Sequence, residues 1–329
     1  MSKLSIALTG ATGYIGSQVL LELLKRFKGE LDCRVLVRGS SNYAWLEALP
    51  VQVIAADVLE PIALHEALRG VDTLFHCAGL VSWTRRFRSQ LYEVNVVGTR
   101  NVLHAALYNG VRRVVMTSSI AAVGMSEDGA PANEAALFKE WQRRNGYMEA
   151  KHLAELEALR AVAEGLDVVL LNPGVVIGVD HHNPASLSSS NRTLRQMYDE
   201  KLWVAPAGST GFVDVRDVAM AHIAAWEKGK SGERYIVVGH NVSFHELLSR
   251  LSALNNGVAA KVLTVPRSVG MVAALGGEAW SLLTGNPSFI AFESIGTSAR
   301  QLAYNNERSL CELGIAYHDL EETFQTILK

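Results

Sequence analysis

The chain has 329 residues, 49% hydrophobic and 19% charged, enough for one large domain with a sizeable core and a smaller dependent lobe. Its formal net charge of -2 supplies no basic field for nucleic acid or acidic lipid. Cys33, Cys77 and Cys311 are odd in number, widely spaced and free of any C-x-x-C pattern, which argues against a disulfide framework or a zinc site and fits a reducing cytoplasm.

The N-terminal apolar run is too short for a signal-peptide core, and SIALTG reads as a first strand. YIGSQVLLELLKRF follows as a helix, with Ile15, Val19, Leu20, Leu23 and Leu24 at helical spacing. CRVLVRG is the second strand, NYAWLEAL a short helix and VQVIAAD the third strand. PIALHEALRG is a helix opened by Pro61, and DTLFHCAG is the fourth strand. A long helix over residues 88–109 precedes the strand RRVVMTSS, and the next helix starts near Tyr147 and ends near Glu164. LDVVLLNPG is a further strand; after a loop-rich stretch, FVDVRDVAMAHIAAW reads as helix and ERYIVVGH as strand.

Continuous apolar strands separated by helices predict an α/β fold, a doubly wound parallel sheet covered on both faces. The expected division is a Rossmann domain over residues 1–172 and about 212–238, with a discontinuous substrate lobe over about 173–211 and 239–329. Residues 269–285 are too polar and too short to span a bilayer and read as an amphipathic helix of that lobe. Lying on a membrane surface is the lesser reading for that helix.

Thr9-Gly10-Ala11-Thr12-Gly13-Tyr14-Ile15-Gly16 joins the first strand to the first helix. Gly10 permits a tight turn, Gly13 lets backbone N–H groups approach a pyrophosphate, and Gly16 lets the helix pack closely on the strand. Gly10, Thr12, Gly13, Tyr14, Ile15 and Gly16 are therefore the expected phosphate cradle. The second strand ends in Val37-Arg38-Gly39-Ser40-Ser41 rather than in an acidic residue, so Arg38 favours the 2′-phosphate of NADP over the free ribose of NAD. Tyr147 and Lys151 stand four apart on one helix face, where a cation can stabilise a phenolate.

TGATGYIG together with Tyr147-x-x-x-Lys151 resembles the extended short-chain dehydrogenase/reductase family. The resemblance continues in order through Asp57, HCAG (76–79), NVVGTRNV (95–102), TSS (117–119), NPGVVIG (172–178) and FVDVRDVA (212–219), over roughly residues 3–240. It implies Asp57 and Val58 beside the adenine, and Ala78 and Gly79 along the cofactor. Pro173, Val175 and Val176 fall at the nicotinamide end, with Asn95 and Thr117 close by. It also implies catalysis by Ser119, Tyr147 and Lys151: the serine, five residues before Gly124, holds the substrate oxygen, the tyrosine exchanges the proton, and the lysine lowers its pKa and holds the ribose. Asp214 and Asp217 hold loops and cap a helix, and His76 and Cys77 are packing neighbours.

Arg38 and the apolar Ile120-Ala121-Ala122 look more like the dihydroflavonol reductase and 3β-hydroxysteroid dehydrogenase branches than the sugar dehydratases, although Asn42 and Tyr43 stand where a lysine often follows the arginine. The expected activity is NADP(H)-dependent reduction of a ketone or aldehyde on a moderately hydrophobic small molecule. Alternatives are a nucleotide-sugar epimerase or dehydratase, with Arg192, Arg195 and Lys201 gripping a diphosphate, and an NADP-binding redox-sensing regulator. The expected partners are the carbonyl substrate and, at most, a second copy of the chain as a homodimer; no metal is expected.

Overall fold

A computed structural model describes residues 3–126, 129–180, 182–187, 190–254, 260–284 and 292–329. His181 and residues 188–189, 255–259 and 285–291, which fall in the expected substrate lobe and include the last residue of the expected 269–285 helix, lie outside the described residues.

The first half alternates strand and helix. Strands β1 (Leu4–Thr9), β2 (Leu31–Val37), β3 (Gln52–Ala55), β4 (Thr73–His76), β5 (Arg113–Thr117) and β6 (Val168–Pro173) are joined by five connections of mostly helical chain, and most of them are apolar runs. Helices α1 (Tyr14–Arg26), α2 (Pro61–Ala67), α3 (Arg88–Tyr92), α4 (Gly98–Tyr108), α5 (Glu140–Arg143) and α6 (Gly146–Ala163) lie between them. Both faces of these strands are therefore covered, and every register pairing in the main sheet is parallel.

The later elements are β7 (Val175–Ile177), α7 (Ser190–Asp199), β8 (Val204–Pro206), β9 (Ser209–Asp214), α8 (Val215–Lys228), β10 (Arg234–Val237) and β11 (His240–Ser243). They are followed by α9 (Phe244–Ala253), β12 (Leu263–Val265), α10 (Arg267–Thr284), α11 (Phe292–Ser298) and α12 (Leu320–Leu328). The seven-stranded sheet has the order β10-β6-β5-β4-β1-β2-β3. Its order reverses between β1 and β4, the crevice where doubly wound sheets bind ligands. A three-stranded sheet β11-β9-β7 and a two-stranded sheet β12-β8 complete the strands.

Two apolar layers hold the main sheet. Ile6, Leu8, Leu20, Leu23, Val35, Phe75, Val115 and Ile223 lie on one side, and Ala7, Leu36, Leu64, Leu74, Leu103, Val114, Ala158 and Leu170 on the other. The alternation of Ile6 and Ala7, or of Val114 and Val115, between layers follows from the two-residue period of a strand.

Three elements differ from the sequence reading. FVD, read as helix, is the end of β9, because Asp214 stops the strand and caps α8 by accepting from the Arg216 N–H at 2.8 Å. The short helix of residues 42–49 is a single 3-10 turn, Ala44–Ala48. The long helix is interrupted by a π-helical turn at Glu93–Val97, which includes Asn95. Among the described residues no helix is long and apolar enough to cross a membrane; α10 leaves Val269, Val272 and Leu275 exposed.

Candidate active site

The cradle is built around Gly10, at φ +78° beside the sheet's point of reversal. A Cβ there would lie 2.5 Å from the Ala78 nitrogen, and a Cβ on Gly16 would lie 2.2 Å from the Gly10 carbonyl oxygen. Both positions demand glycine for backbone packing. Gly13 differs: a Cβ would meet only the Gly10 oxygen at 3.3 Å, so its outer side is open. Gly13 also begins α1 without a side-chain cap, and the first turn of that helix has no acidic residue. An open glycine at an uncapped helix N-terminus is the surface a phosphate requires.

Tyr14 leaves this cradle. Its hydroxyl donates to the Gly178 carbonyl and accepts from Asn191 Nδ2 at 2.9 Å, and burial drives its pKa far upward. Ser17 Oγ meets Asn183 Oδ1 at 2.6 Å and Gln18 Nε2 donates to Asp180 at 2.8 Å, so the start of α1 is tied to the loop after β7. Arg38 is exposed at the end of β2, and Asp57 turns the chain after β3 by accepting from the Leu59 N–H at 3.0 Å. Val58 packs on Gly98, where a Cβ would approach Val58 Cγ2 to 2.7 Å.

The second half of the site gathers at the carboxyl ends of β4 and β5. Asn145 caps α6 by accepting from the N–H groups of Tyr147 and Met148, both at 3.1 Å, which fixes the turn that carries the tyrosine. Glu293 from α11 accepts the Gly146 N–H at 2.8 Å. Tyr147 is 8% and Lys151 7% exposed. The Tyr147 ring meets Trp83 edge-on at 5.2 Å, and its hydroxyl lies near the Ser119 side chain. Lys151 Nζ donates to the Thr117 carbonyl at 3.1 Å. A Cβ on Gly79 would sit 3.2 Å from Asn95 Oδ1 and 3.3 Å from Lys151 Nζ, so glycine keeps this wall clear.

Burial pushes the Tyr147 hydroxyl up from its ordinary value, and the Ser119 hydrogen bond draws it partly back. That direction is opposite to the one expected from a neighbouring cation: loss of water outweighs it. Burial likewise lowers Lys151 to about 8, against the opposing charge of Glu155 and then Cys77.

Other expected residues are brought close but spend their side chains elsewhere. Asn95 accepts from the Leu80 N–H at 2.8 Å and donates to the Leu80 carbonyl at 2.9 Å, clamping the loop after β4. Thr117 Oγ1 lies 2.7 Å from His222 Nε2. Since His222 Nδ1 lies 2.7 Å from the Val218 carbonyl and burial lowers the ring to about 4, the neutral ring donates from Nδ1 and accepts the Thr117 hydroxyl proton at Nε2. His76 bridges Thr9 at 2.8 Å and Thr99 at 3.1 Å, lowered by burial to about 3, and Cys77 is pushed up to about 12. Pro173 ends β6 and Val175 and Val176 open β7; a Cβ on the intervening Gly174 would meet the Gly211 oxygen at 2.5 Å. Asp217 pairs with His318 at 2.5 Å, and Arg195 with Asp199 at 3.1 Å. Among the described residues no group of three His, Cys, Asp or Glu side chains is placed to hold a metal.

Sequence reasoning missed Glu155, Asn172, His222 and Glu293, which lock the site from behind. The spacing of Glu155 one turn after Lys151 was the available signal.

This arrangement, on this sheet order, defines a dinucleotide-binding Rossmann oxidoreductase of the extended short-chain dehydrogenase/reductase class. Residues 6–239 match the model of the NAD dependent epimerase/dehydratase family, and the chain belongs to that family. It is 31% identical over 318 residues to a Synechocystis sp. protein provisionally named a dihydroflavonol 4-reductase, covering 95% of this chain and 90% of the relative. It is 33% identical over 267 residues to sterol demethylase protein B of Methylococcus capsulatus, covering 81% and 79%. Among solved structures, gox2253 matches with a TM-score of 0.82 at 29% identity, over 99% of this chain and 97% of that one. A nicotinamide dinucleotide fits the residues present: the open side of Gly13 and the clear wall at Gly79 are the two places where a side chain would obstruct it.

Proposed function

We propose that this chain reduces a ketone or aldehyde on a moderately hydrophobic small molecule, using NADPH. The observation that carries this reading is the buried Tyr147, set in place by the Asn145 cap and near the Ser119 hydroxyl, on a helix that also supplies Lys151. The residues that would hold the cofactor are the Gly10–Gly16 cradle, Arg38 at the adenosine ribose, Asp57 and Val58 beside the adenine, Ala78 and Gly79 along the sheet edge, and Lys151 with Pro173 to Val176 at the nicotinamide. Bound there, the cofactor supplies hydride to carbon.

The chain's own residues supply the rest. Ser119 and Tyr147 together present O–H groups to a substrate oxygen. The raised pKa keeps Tyr147 protonated through neutral pH, so it serves as proton donor in the reducing direction. Ser119 orients that oxygen, and the Lys151 ammonium stabilises negative charge left on the phenol. Trp83 excludes water from the Tyr147 ring. Arg38 and the absence of an acidic residue at the end of β2 support NADP over NAD. The names of the two relatives, a dihydroflavonol reductase and a sterol demethylase protein, support a hydrophobic substrate.

The test is oxidation of NADPH and of NADH by purified protein, offered a panel of aryl, steroidal and short-chain ketones and aldehydes. Turnover of at least one with NADPH, lost in Tyr147→Phe, supports the proposal. No oxidation across the panel, or equal turnover in the variant, would sink it.

A further inference from the structure

Glu155 has no part in the chemistry above, yet its carboxylate is buried among groups that do. It stands on α6 one turn beyond Lys151 and is 3% exposed. Its Oε1 accepts from Ser118 Oγ at 2.5 Å and from Asn172 Nδ2 at 2.6 Å, and its Oε2 accepts from Arg234 Nη1 at 3.0 Å. Asn172 Nδ2 also donates to the Ser119 carbonyl at 2.9 Å. With Lys151 on the Thr117 carbonyl, three successive residues at the end of β5 are held by two side chains of α6 and one of β6.

Shape alone does not explain a carboxylate here. Each of these three neighbours offers a donor, so a glutamine would turn its own N–H groups toward at least one of them, and a protonated acid could give its proton only by reversing the Ser118 hydroxyl. Burial raises Glu155, while Arg234 first, then Ser118, Asn172 and Lys151, act to hold it ionised. A carboxylate in such surroundings is costly unless paired, and Lys151 four residues earlier shares its helix face.

We propose that Glu155 is a positioning residue for the reaction: from behind Lys151 its carboxylate keeps the buried ammonium charged, and through Ser118 and Asn172 it fixes the main chain that carries Ser119. The groups facing Lys151 are Glu155 and Tyr147 on its own helix, His76 and Cys77 at the end of β4, and the Thr117 carbonyl. Arg234 reaches Glu155 from β10. His76 is lowered to about 3, Cys77 pushed up to about 12 and Tyr147 raised, so near neutral pH all three are uncharged, and Glu155 is the one group facing Lys151 that its partners act to hold as an anion against its burial. The effect on turnover rests on the carbonyl-reductase reading; the effect on Lys151 does not.

The experiment is an NMR titration of the lysine side chains in the full, 15N-lysine-labelled chain, with the Lys151 signal assigned by its loss in Lys151→Met. In Glu155→Gln the Lys151 midpoint is expected to fall by about one pH unit or more. Glu155→Asp, which keeps the charge, recovers most of that fall. The alkaline limb of kcat/KM moves with the midpoint. An unmoved midpoint in folded Glu155→Gln overturns the proposal, even where turnover is lost, because a purely structural role then suffices. If that variant does not fold, Arg234→Met decides: loss of the cation that holds Glu155 ionised lowers the Lys151 midpoint, and a static midpoint overturns the proposal. A chain that reduces no carbonyl compound defeats the reductase reading alone, since the titration still answers for Glu155.

Discussion

Lys151 and Thr117 meet through one hydrogen bond, from Nζ to the main-chain oxygen at 3.1 Å, and it seats the ammonium at the strand end two residues before Ser119. The cation thus serves two neighbours at once: it donates to a main-chain carbonyl at the end of β5, and it stands on the same helix face as Tyr147. Gly79 opposite leaves that side of the ammonium uncovered.

Tyr147→Phe separates chemistry from binding. Phenylalanine keeps the edge-on contact with Trp83 and removes only the hydroxyl near Ser119. Turnover should fall by about 10²- to 10⁴-fold, the usual worth of a positioned proton donor. Dinucleotide affinity, measured by fluorescence titration, should stay within about threefold; retained turnover would remove Tyr147 from the reaction.

Burial of Lys151 has a consequence for stability whose sign is fixed. Its folded value of about 8 lies below the ordinary 10.5. Below about 8 both folded and unfolded chains hold the proton, and the burial penalty is complete. Between about 8 and 10.5 the unfolded chain binds more protons, so stability rises with pH across that window. Each unit of difference is worth about 1.4 kcal/mol. Denaturant unfolding of wild type and Lys151→Met on both sides of this window should show the wild type gaining on the variant as pH rises, by a few kcal/mol at most. A pH-independent difference would contradict it.

The strand–helix alternation was legible because the central strands β4, β5 and β6 are apolar runs buried on both faces, and the cradle because Gly10 and Gly16 have no freedom to be anything else. Tyr147 and Lys151 were legible because one helix spaces them. Their pKa directions were not, since a sequence gives spacing and not burial: the shift of Tyr147 comes from removing water, which depends on Trp83 and Met148 packing around it. The supporting contacts of Glu293 with Gly146, and of His222 with Thr117, join residues more than a hundred positions apart, and no local pattern announces them.

Gly13 and Gly16 predict different failures for the same substitution. Alanine at Gly16 places Cβ 2.2 Å from the Gly10 oxygen, a backbone atom that cannot yield without moving the turn. Gly16→Ala should cost several kcal/mol or prevent folding, at the upper end of single-site effects (roughly 3–5 kcal/mol). Alanine at Gly13 meets the same oxygen at 3.3 Å and otherwise projects into open space. Gly13→Ala should change stability by less than about 1 kcal/mol while weakening dinucleotide affinity at least about tenfold, because the methyl stands where phosphate must approach backbone N–H groups. Equal melting temperatures for the two variants, or unchanged affinity in Gly13→Ala, would refute the division of roles.

Arg38 is exposed at the end of β2, and within the run Val37 to Ser41 no carboxylate competes with it. A guanidinium there meets a 2′-phosphate with paired donors, and an aspartate would repel that phosphate while accepting from a free ribose hydroxyl. Arg38→Ala should raise the Kd for NADPH by about 10- to 100-fold, the loss of one to two charge-assisted hydrogen bonds, and leave that for NADH nearly unchanged. Arg38→Asp should go further and prefer NADH. Because Arg38 is exposed, neither change should alter the melting temperature appreciably, so the comparison of four dissociation constants reads recognition alone. Equal affinity of the wild type for both cofactors, or a parallel loss of both in Arg38→Ala, would show that this arginine does not read the phosphate.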